Sequence, residues 1–387
     1  MISKKKAARI IKKVISAISG IIPKNNKKII FKSRPDISGN AKALSEFISK
    51  NHNDYKIIWL VESDCKANDL NINIIKTGTF KSLYHYFTSK YIITTHNEMI
   101  GTKAASQIYI SLWHGMPLKK ICYLGEFDNV GMEDYSANRI ATSEIMRSII
   151  SACFREKANN VYITGQPRND FLFQSRPIDV TDKKSRINKK KIIYAPTFRE
   201  NQTALQYSDG SAIKENNFLR VTDFNIEALD TFLDENNAEL FIKLHPFEEK
   251  TFISTELTNN ITIIKTETLH EINLDINHLL NKMDILVTDY SSIYFDYMLL
   301  DRPICFLVPD IDAYGNSRGG FTLEPVKFWM PGAHTFSQYS LQDELKKLLD
   351  GQDDYQEQRN MVNNVINFYK DENSSERVFQ KFFISNK

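Results

Sequence analysis

Five short stretches carry residue types suited to handling phosphate and moving a proton. The first is Ser111-Leu112-Trp113-His114-Gly115-Met116-Pro117-Leu118-Lys119-Lys120. An apolar run ends in Trp-His-Gly, which places His114 at a strand end beside a glycine that keeps the backbone clear. An imidazole titrating near neutrality suits removal of a hydroxyl proton, and Lys119 and Lys120 can hold phosphate oxygens. The same histidine fits an ordinary structural hydrogen bond equally well. In Thr164-Gly165-Gln166-Pro167-Arg168-Asn169-Asp170 the Gly and Pro shape a tight turn. Arg168 there can reach phosphate or lock the turn through Asp170.

Tyr194-Ala195-Pro196-Thr197-Phe198-Arg199 and Lys243-Leu244-His245-Pro246-Phe247 repeat the pattern of a strand running into a polar loop. Thr197, Arg199 and His245 are the groups offered there, and imidazole can donate to a phosphate oxygen. The fifth stretch, Asp284-Ile285-Leu286-Val287-Thr288-Asp289-Tyr290-Ser291-Ser292, sets two serines at the expected start of a helix over Ile293–Leu300. Free N–H groups and the positive helix end would cradle an anion, although Asp289 or a serine can equally cap the helix. Beyond it, Tyr314, Arg318, Gly319 and Gly320 form a loop with one cation able to swing over a diphosphate. Paired carboxylates of the glycosidase kind are missing, as is a G-x-x-x-x-G-K-[ST] phosphate loop. A nucleotide diphosphate compound bound between two domains is the donor these residues imply.

The elements that must position them are legible from hydropathy. Short apolar runs at Lys28–Lys32, Tyr55–Val61, Ile72–Ile75, Tyr91–Thr95 and Gln107–Leu112 alternate with helical stretches such as Ala41–Lys50 and Phe80–Ser89. A second series covers Val161–Thr164, Lys191–Tyr194, Glu239–Leu244, Ile261–Ile264, Ile285–Thr288 and Ile304–Leu307. Strands alternating with helices predict parallel sheets covered on both faces, with ligands at the carboxyl ends of the strands. The Lys-rich segment Ser175–Lys190 reads as the joint between halves. The expected organisation is therefore a basic helix over 1–22, an α/β domain over 23–175, and a donor-binding α/β domain over 176–350. A last helix over 351–387, with a break allowed for near Glu372–Ser375, is expected to pack across both domains.

Composition bounds the rest. The 387 residues, 42% hydrophobic and 25% charged, can build two domain cores, and a formal charge of +3 gives no reason to invoke nucleic acid. The four cysteines stand far apart, neither paired nor grouped with histidine at metal-ligand spacing. No dedicated metal site or tightly bound cofactor is expected; a Mg²⁺ carried by the donor's phosphates would leave little trace. No run reaches the roughly 20 apolar residues of a spanning helix. The first 35 residues hold no acidic side chain, and Lys4, Lys5, Lys6, Arg9, Lys12 and Lys13 interleave with Ile10, Ile11, Val14, Ile15, Ile18, Ile21 and Ile22. This is the pattern of a basic amphipathic helix on anionic lipid, and predicts a peripheral protein on the cytoplasmic face of the membrane.

Taken in order, Trp113-His114-Gly115-x-Pro117-Leu118-Lys119, Thr164-Gly165-x-Pro167-Arg168-Asn169-Asp170, Tyr194-Ala195-Pro196-Thr197-Phe198-Arg199, Leu244-His245-Pro246 and Thr288-Asp289-Tyr290-Ser291-Ser292 resemble the CDP-glycerol glycerophosphotransferase family. These are the teichoic acid primases and polymerases, with related capsule polymerases. The resemblance runs from about His96 to Gly332. It implies a glycosyltransferase-B-like fold of two Rossmann-like domains facing across a cleft. It further implies attack by an acceptor hydroxyl on the β-phosphate of CDP-glycerol, with release of CMP and a polyprenyl-linked acceptor. By motif position His114 is the general base. His245, Arg199, Ser291 and Ser292 are donor diphosphate contacts, grouped with Thr197, Asp289 and Arg318. Lys119, Lys120 and Arg168 are left for acceptor or phosphate. Met116 stands where the family has Thr, and Pro331-Gly332-Ala333-His334 keeps the family's Pro-Gly-Pro only in part. CDP-ribitol as donor, a nucleotide-sugar glycosyltransferase and a non-catalytic membrane scaffold are the alternatives.

Overall fold

The computed structural model describes residues 4–63, 72–125, 132–175, 188–199, 216–252, 254–317 and 319–384. The chain divides into two compact units. The first comprises Met1–Met116, Glu133–Phe173 and Phe368–Lys387; the second comprises Pro117–Met132 and Gln174–Asn367.

The first unit is built on a seven-stranded sheet of β1 (Asn25–Lys32), β2 (Lys56–Val61), β3 (Ile72–Lys76), β4 (Ser89–Thr94), β5 (Ile108–Ser111), β6 (Asn138–Ala141) and β7 (Val161–Ile163). Their order is β3-β2-β1-β4-β5-β6-β7, and every pairing is parallel. Because successive side chains point to opposite faces, an unbroken apolar strand must be covered on both. One face carries Ile29, Phe31, Ile57, Trp59, Ile93 and Ile110. It is covered by helix α2 (Gly39–Asn51) and by Val378, Phe379, Phe382 and Phe383 of the C-terminal segment. The other face carries Ile30, Ile58 and Leu60, and further along Ile92 and Tyr109. Helix α3 (Phe80–Thr88) lies there, contributing Tyr86, and helix α1 (Lys4–Ile21) lies beside it, contributing Ile15.

Helix α1 is held on its own unit by polar contacts. Ser19, fully buried, bonds Gln107 at 3.0 Å, Ser16 donates to the Lys103 carbonyl at 2.7 Å, and Lys12 pairs with Glu133 at 3.1 Å. Its apolar side chains Ile10, Ile11, Val14, Ile18 and Ile21 point away and stay exposed.

The second unit repeats the design with β8 (Lys190–Tyr194), β9 (Ala238–Ile242), β10 (Ile261–Ile263), β11 (Ile285–Thr288), β12 (Ile304–Leu307) and β13 (Ala333–Thr335). The order is β10-β9-β8-β11-β12-β13, again parallel throughout. In both sheets the winding reverses beside the first strand, between β1 and β4 and between β8 and β11. Such reversals open a crevice at the carboxyl ends, where ligands bind.

The structure departs from the sequence expectations in three places. Val161–Thr164 closes the first sheet as its edge strand and does not begin the second series. Strands β6 and β13 were not expected. The joint at Ser175–Lys190 falls mostly on residues outside those described. The C-terminal helix is two elements: Gln356–Ile366 belongs to the second unit and Ser374–Phe379 to the first.

That return is fixed by Asp170, whose carboxylate accepts from the N–H groups of Ser374 at 2.9 Å and Ser375 at 2.8 Å. Burial raises its pKa to about 6, against the bonds that favour the anion. Asp170→Ala strands two buried donors and should cost about 1–3 kcal/mol in urea unfolding, with Asp170→Asn losing less. The native state binds the carboxyl proton more tightly than the unfolded chain, so the wild type loses stability as pH rises from 3.8 to about 6. The deficit of Asp170→Asn relative to wild type should therefore narrow across that window; a deficit constant with pH would refute the assignment.

Candidate active site

At the reversal of the first sheet, the loop after β4 carries Thr95, His96 and Asn97, and the loop after β5 carries Trp113, His114 and Gly115. Trp113 takes φ 53° and Gly115 φ 148°, so the chain turns sharply on either side of His114 and leaves its side chain exposed. The His114 Nδ1 lies 3.3 Å from the Thr95 carbonyl oxygen. A carbonyl can only accept, which assigns the proton to Nδ1 and leaves Nε2 as the basic nitrogen. The His114 ring stacks on His96 at 4.1 Å with 11° between planes. Burial, helped by the Arg34 charge, lowers the His96 pKa to about 4, so the stacked neighbour is neutral.

The peptide frame of this loop is braced from two sides. Asn40, fully buried on α2, donates to the carbonyls of Leu112 at 3.2 Å and Trp113 at 3.0 Å and accepts from the Arg168 N–H at 3.1 Å. Arg168 in turn donates from Nη1 to the His114 carbonyl at 2.7 Å. The Thr164–Asp170 turn thus holds the His114 loop through Arg168 and the C-terminal segment through Asp170, a role on the structural side of the alternatives. Thr95, His96 and Asn40 were missed by sequence reading. Nothing local marks them, because their function comes from packing beside β5.

In the second unit the loops after β8 and β11 meet at Asp289. Its Oδ1 accepts from the Thr197 N–H at 2.7 Å and the Ser291 N–H at 3.1 Å. Its Oδ2 accepts from Arg199 Nε at 3.2 Å and Nη2 at 2.9 Å. The guanidinium also bonds Asp310, with Nη1–Oδ2 2.5 Å and Nη2–Oδ1 3.3 Å. It lies 5.0 and 4.8 Å from the rings of Tyr290 and Tyr314, which stack on each other at 4.2 Å, and the residue is only 4% exposed. Burial works against its charge, but the two carboxylates hold its pKa above the ordinary arginine value. Arg199 and Asp289 were expected to contact diphosphate; in this structure they pair with each other, and Arg199 also pairs with Asp310.

Around that pair stand groups better placed to meet a ligand. Thr197 is buried, and its Oγ1 has no hydrogen-bond partner among the described residues. Ser292 occupies the N-cap of the helix Ile293–Tyr297 without using its hydroxyl as a cap, and Ser291 beside it is half-buried. A 3₁₀ turn, Met298–Leu300, completes the stretch expected to be one helix. The His245 ring, after β9, lies 4.6 Å from the Phe198 ring and tilted 31° to it. Desolvation by its surroundings and the nearby Lys243 charge lower its pKa, which favours the neutral imidazole.

Lys119 and Lys120 belong to this second unit, although only five and six residues beyond His114 in sequence. The Lys120 N–H donates to the Gly320 carbonyl at 3.2 Å, and Lys119 pairs with Phe321 in an antiparallel bridge. The Lys119 Nζ lies 6.0 Å over the Tyr314 ring. Arg318 lies outside the described residues. Among those described, no group of three or more His, Cys, Asp or Glu side chains is arranged to hold a metal ion, and no helix is long and apolar enough to cross a membrane.

Residues 14–384 match the model of the CDP-Glycerol:Poly(glycerophosphate) glycerophosphotransferase family. The chain belongs to this family. It is 30% identical over 335 residues to a teichoic acid poly(glycerol phosphate) polymerase of Bacillus spizizenii, covering 80% of each chain. It is 28% identical over 370 residues to a teichoic acid glycerol-phosphate transferase of Staphylococcus aureus, covering 89% of this chain and 90% of that one. The solved wall teichoic acid polymerase TagF superposes with a TM-score of 0.74 at 20% identity, over 99% of this chain and 94% of that one. The fold is therefore glycosyltransferase-B-like, as the family resemblance implies, and this glycerophosphotransferase is a transferase of phosphate-containing groups.

Arg199→Ala leaves the buried Asp289 and the half-buried Asp310 without their cation and should destabilise the second unit by about 3–5 kcal/mol, seen as a lower urea midpoint. Arg199→Lys should recover only part of this, since an ammonium cannot make the fork to both carboxylates. Unchanged stability with lost donor binding would return Arg199 to the ligand contacts.

Proposed function

We propose that this glycerophosphotransferase transfers glycerol phosphate from CDP-glycerol to a hydroxyl of a lipid-linked acceptor, with His114 as the general base. The observation that carries the reading is the His114 contact with the Thr95 carbonyl: in the neutral ring it puts the proton on Nδ1 and makes Nε2 the basic nitrogen, on an exposed ring held by a braced loop. Nε2 takes the acceptor's O–H proton as its oxygen attacks the glycerol-bearing phosphorus. The bond from that phosphorus to the bridging oxygen breaks, and CMP leaves with the electron pair. No covalent enzyme intermediate is needed, so positioning and charge stabilisation supply the catalysis.

Thr197, Ser291, Ser292 and His245 are the proposed donor contacts, all on loops at the carboxyl edge of the second sheet. Their hydroxyl and imidazole groups can donate to diphosphate oxygens. Lys119, Lys120 and Arg318 supply positive charge near the Gly319-Gly320 turn. A Mg²⁺ ion held through the donor's own phosphates is compatible with this arrangement, and undiminished turnover in EDTA would exclude it. The exposed apolar stripe of α1, with Arg9 and Lys13 exposed beside it, supports peripheral attachment to anionic lipid at the cytoplasmic face, where a polyprenyl-linked acceptor is carried.

The test is nucleotide release by purified protein with a lipid-linked acceptor, offering CDP-glycerol, CDP-ribitol and UDP-sugars separately. CMP release with CDP-glycerol is expected, reduced by about 10²–10⁴-fold in His114→Ala with folding unchanged. Preference for CDP-ribitol would change the donor and keep the mechanism. Release of UDP, or full activity in His114→Ala, would overturn the reading.

A further inference from the structure

We infer that α3 forms, together with α1, one membrane-facing surface, and that its aromatic side chains enter the headgroup region of an anionic bilayer. This rests on the membrane reading of α1 and adds a second, sequence-distant element to it. Both helices cover the same face of the seven-stranded sheet, since Ile15 of α1 and Tyr86 and Phe87 of α3 share one apolar cluster with Ile92 and Tyr109. Lys24 ties their ends, its Nζ bonding the carbonyls of Ser19 and Phe87 at 2.5 Å each. The outer faces of two helices in one layer look away from the sheet in the same direction.

What α3 shows on that outer face is unusual for a surface helix. Phe80 is 93% exposed, Tyr84 62% and Leu83 43%, while Ser82, His85 and Tyr86 turn inward. Small polar and histidine side chains join Tyr86 in facing the protein, while Phe80, Leu83 and Tyr84 face outward. Helix α1 shows a similar arrangement, with Ser16 and Ser19 inward and five aliphatic side chains outward. Several large apolar side chains exposed on two neighbouring helices mark an interaction site.

Charge selects the occupant. Neither α1 nor α3 contains an acidic residue, and Arg9, Lys13 and Lys81 are exposed on them. Aliphatic and aromatic side chains interspersed with cations, on helices lying in a surface plane, suit a bilayer of anionic headgroups. Tyr84 also has Lys28 over its ring at 4.7 Å, which joins an aromatic body to a cation as interfacial tyrosines do.

The experiment is sedimentation of the full chain with vesicles of phosphatidylcholine alone and of phosphatidylcholine mixed with phosphatidylglycerol. The wild type is expected on the anionic vesicles. Phe80→Glu/Tyr84→Glu, with unchanged circular dichroism, should weaken binding roughly ten- to hundredfold, from loss of two apolar insertions and gain of two repelled charges. Ile11→Glu/Val14→Glu tests the parent reading separately. Loss in that variant with wild-type binding by the α3 variant would overturn the α3 inference and leave α1 standing. No wild-type preference for anionic vesicles would overturn both. As a direct readout, Tyr84→Trp should shift to the blue on the vesicles and be quenched by brominated lipid; unchanged emission would overturn the inference. Loss of self-association in the α3 variant without lipid, with vesicle binding retained, would assign the face to a second copy and overturn it as well.

Discussion

The second unit depends on one buried carboxylate. Asp289 closes the crevice of its sheet by receiving two peptide N–H groups and one guanidinium from two different loops. Removing a buried carboxylate from water is costly, and four hydrogen bonds to one side chain are what make it tolerable. The same bonds determine where Thr197 and Ser291 stand. Asp310 gives the guanidinium a second anion and itself receives the Tyr290 hydroxyl at 3.0 Å. Rigidity around this carboxylate is thus electrostatic in origin.

The first unit reaches the same end with amide and carbonyl groups. His114 is oriented by a main-chain oxygen, and its own peptide is held by Asn40 and Arg168. A carbonyl partner fixes the tautomer without adding a negative charge that would make the imidazole hold its proton more tightly. The neutral His96 ring against it completes a surface in which the exposed ring gains no fixed charge from either contact.

The sequence was informative wherever one residue's neighbours in the chain are also its neighbours in space. Strand runs and the loops after them were legible, since alternation and turn residues are local signals, and His114, Thr197 and the two serines could be named from them. Strand β6 escaped because Asn138 and Arg139 interrupt its apolar run, the arginine being buried against Asn97 at 2.9 Å. β13 is three residues long and includes His334, whose ring is held by the Met330 carbonyl at 3.1 Å. Arg199 shows what local sequence cannot supply: a loop arginine advertises a positive charge, and only the fold shows that Asp310, more than a hundred residues later, pairs with it. Lys119 and Lys120 show the reverse, close in sequence to His114 yet part of the other unit.

The first unit is assembled from three separate stretches, the last being Phe368–Lys387. Phe379 stacks on His52 at 3.7 Å and Phe383 lies 4.3 Å from Tyr91, so residues near the end of the chain fill a core begun by its first strands. During synthesis on the ribosome the second unit's strands all emerge while that core still lacks its aromatic plug. The order of completion is therefore opposite to the order of translation: the part that begins first waits longest, with one apolar face of its sheet covered by α2 alone until Val378, Phe379, Phe382 and Phe383 are released.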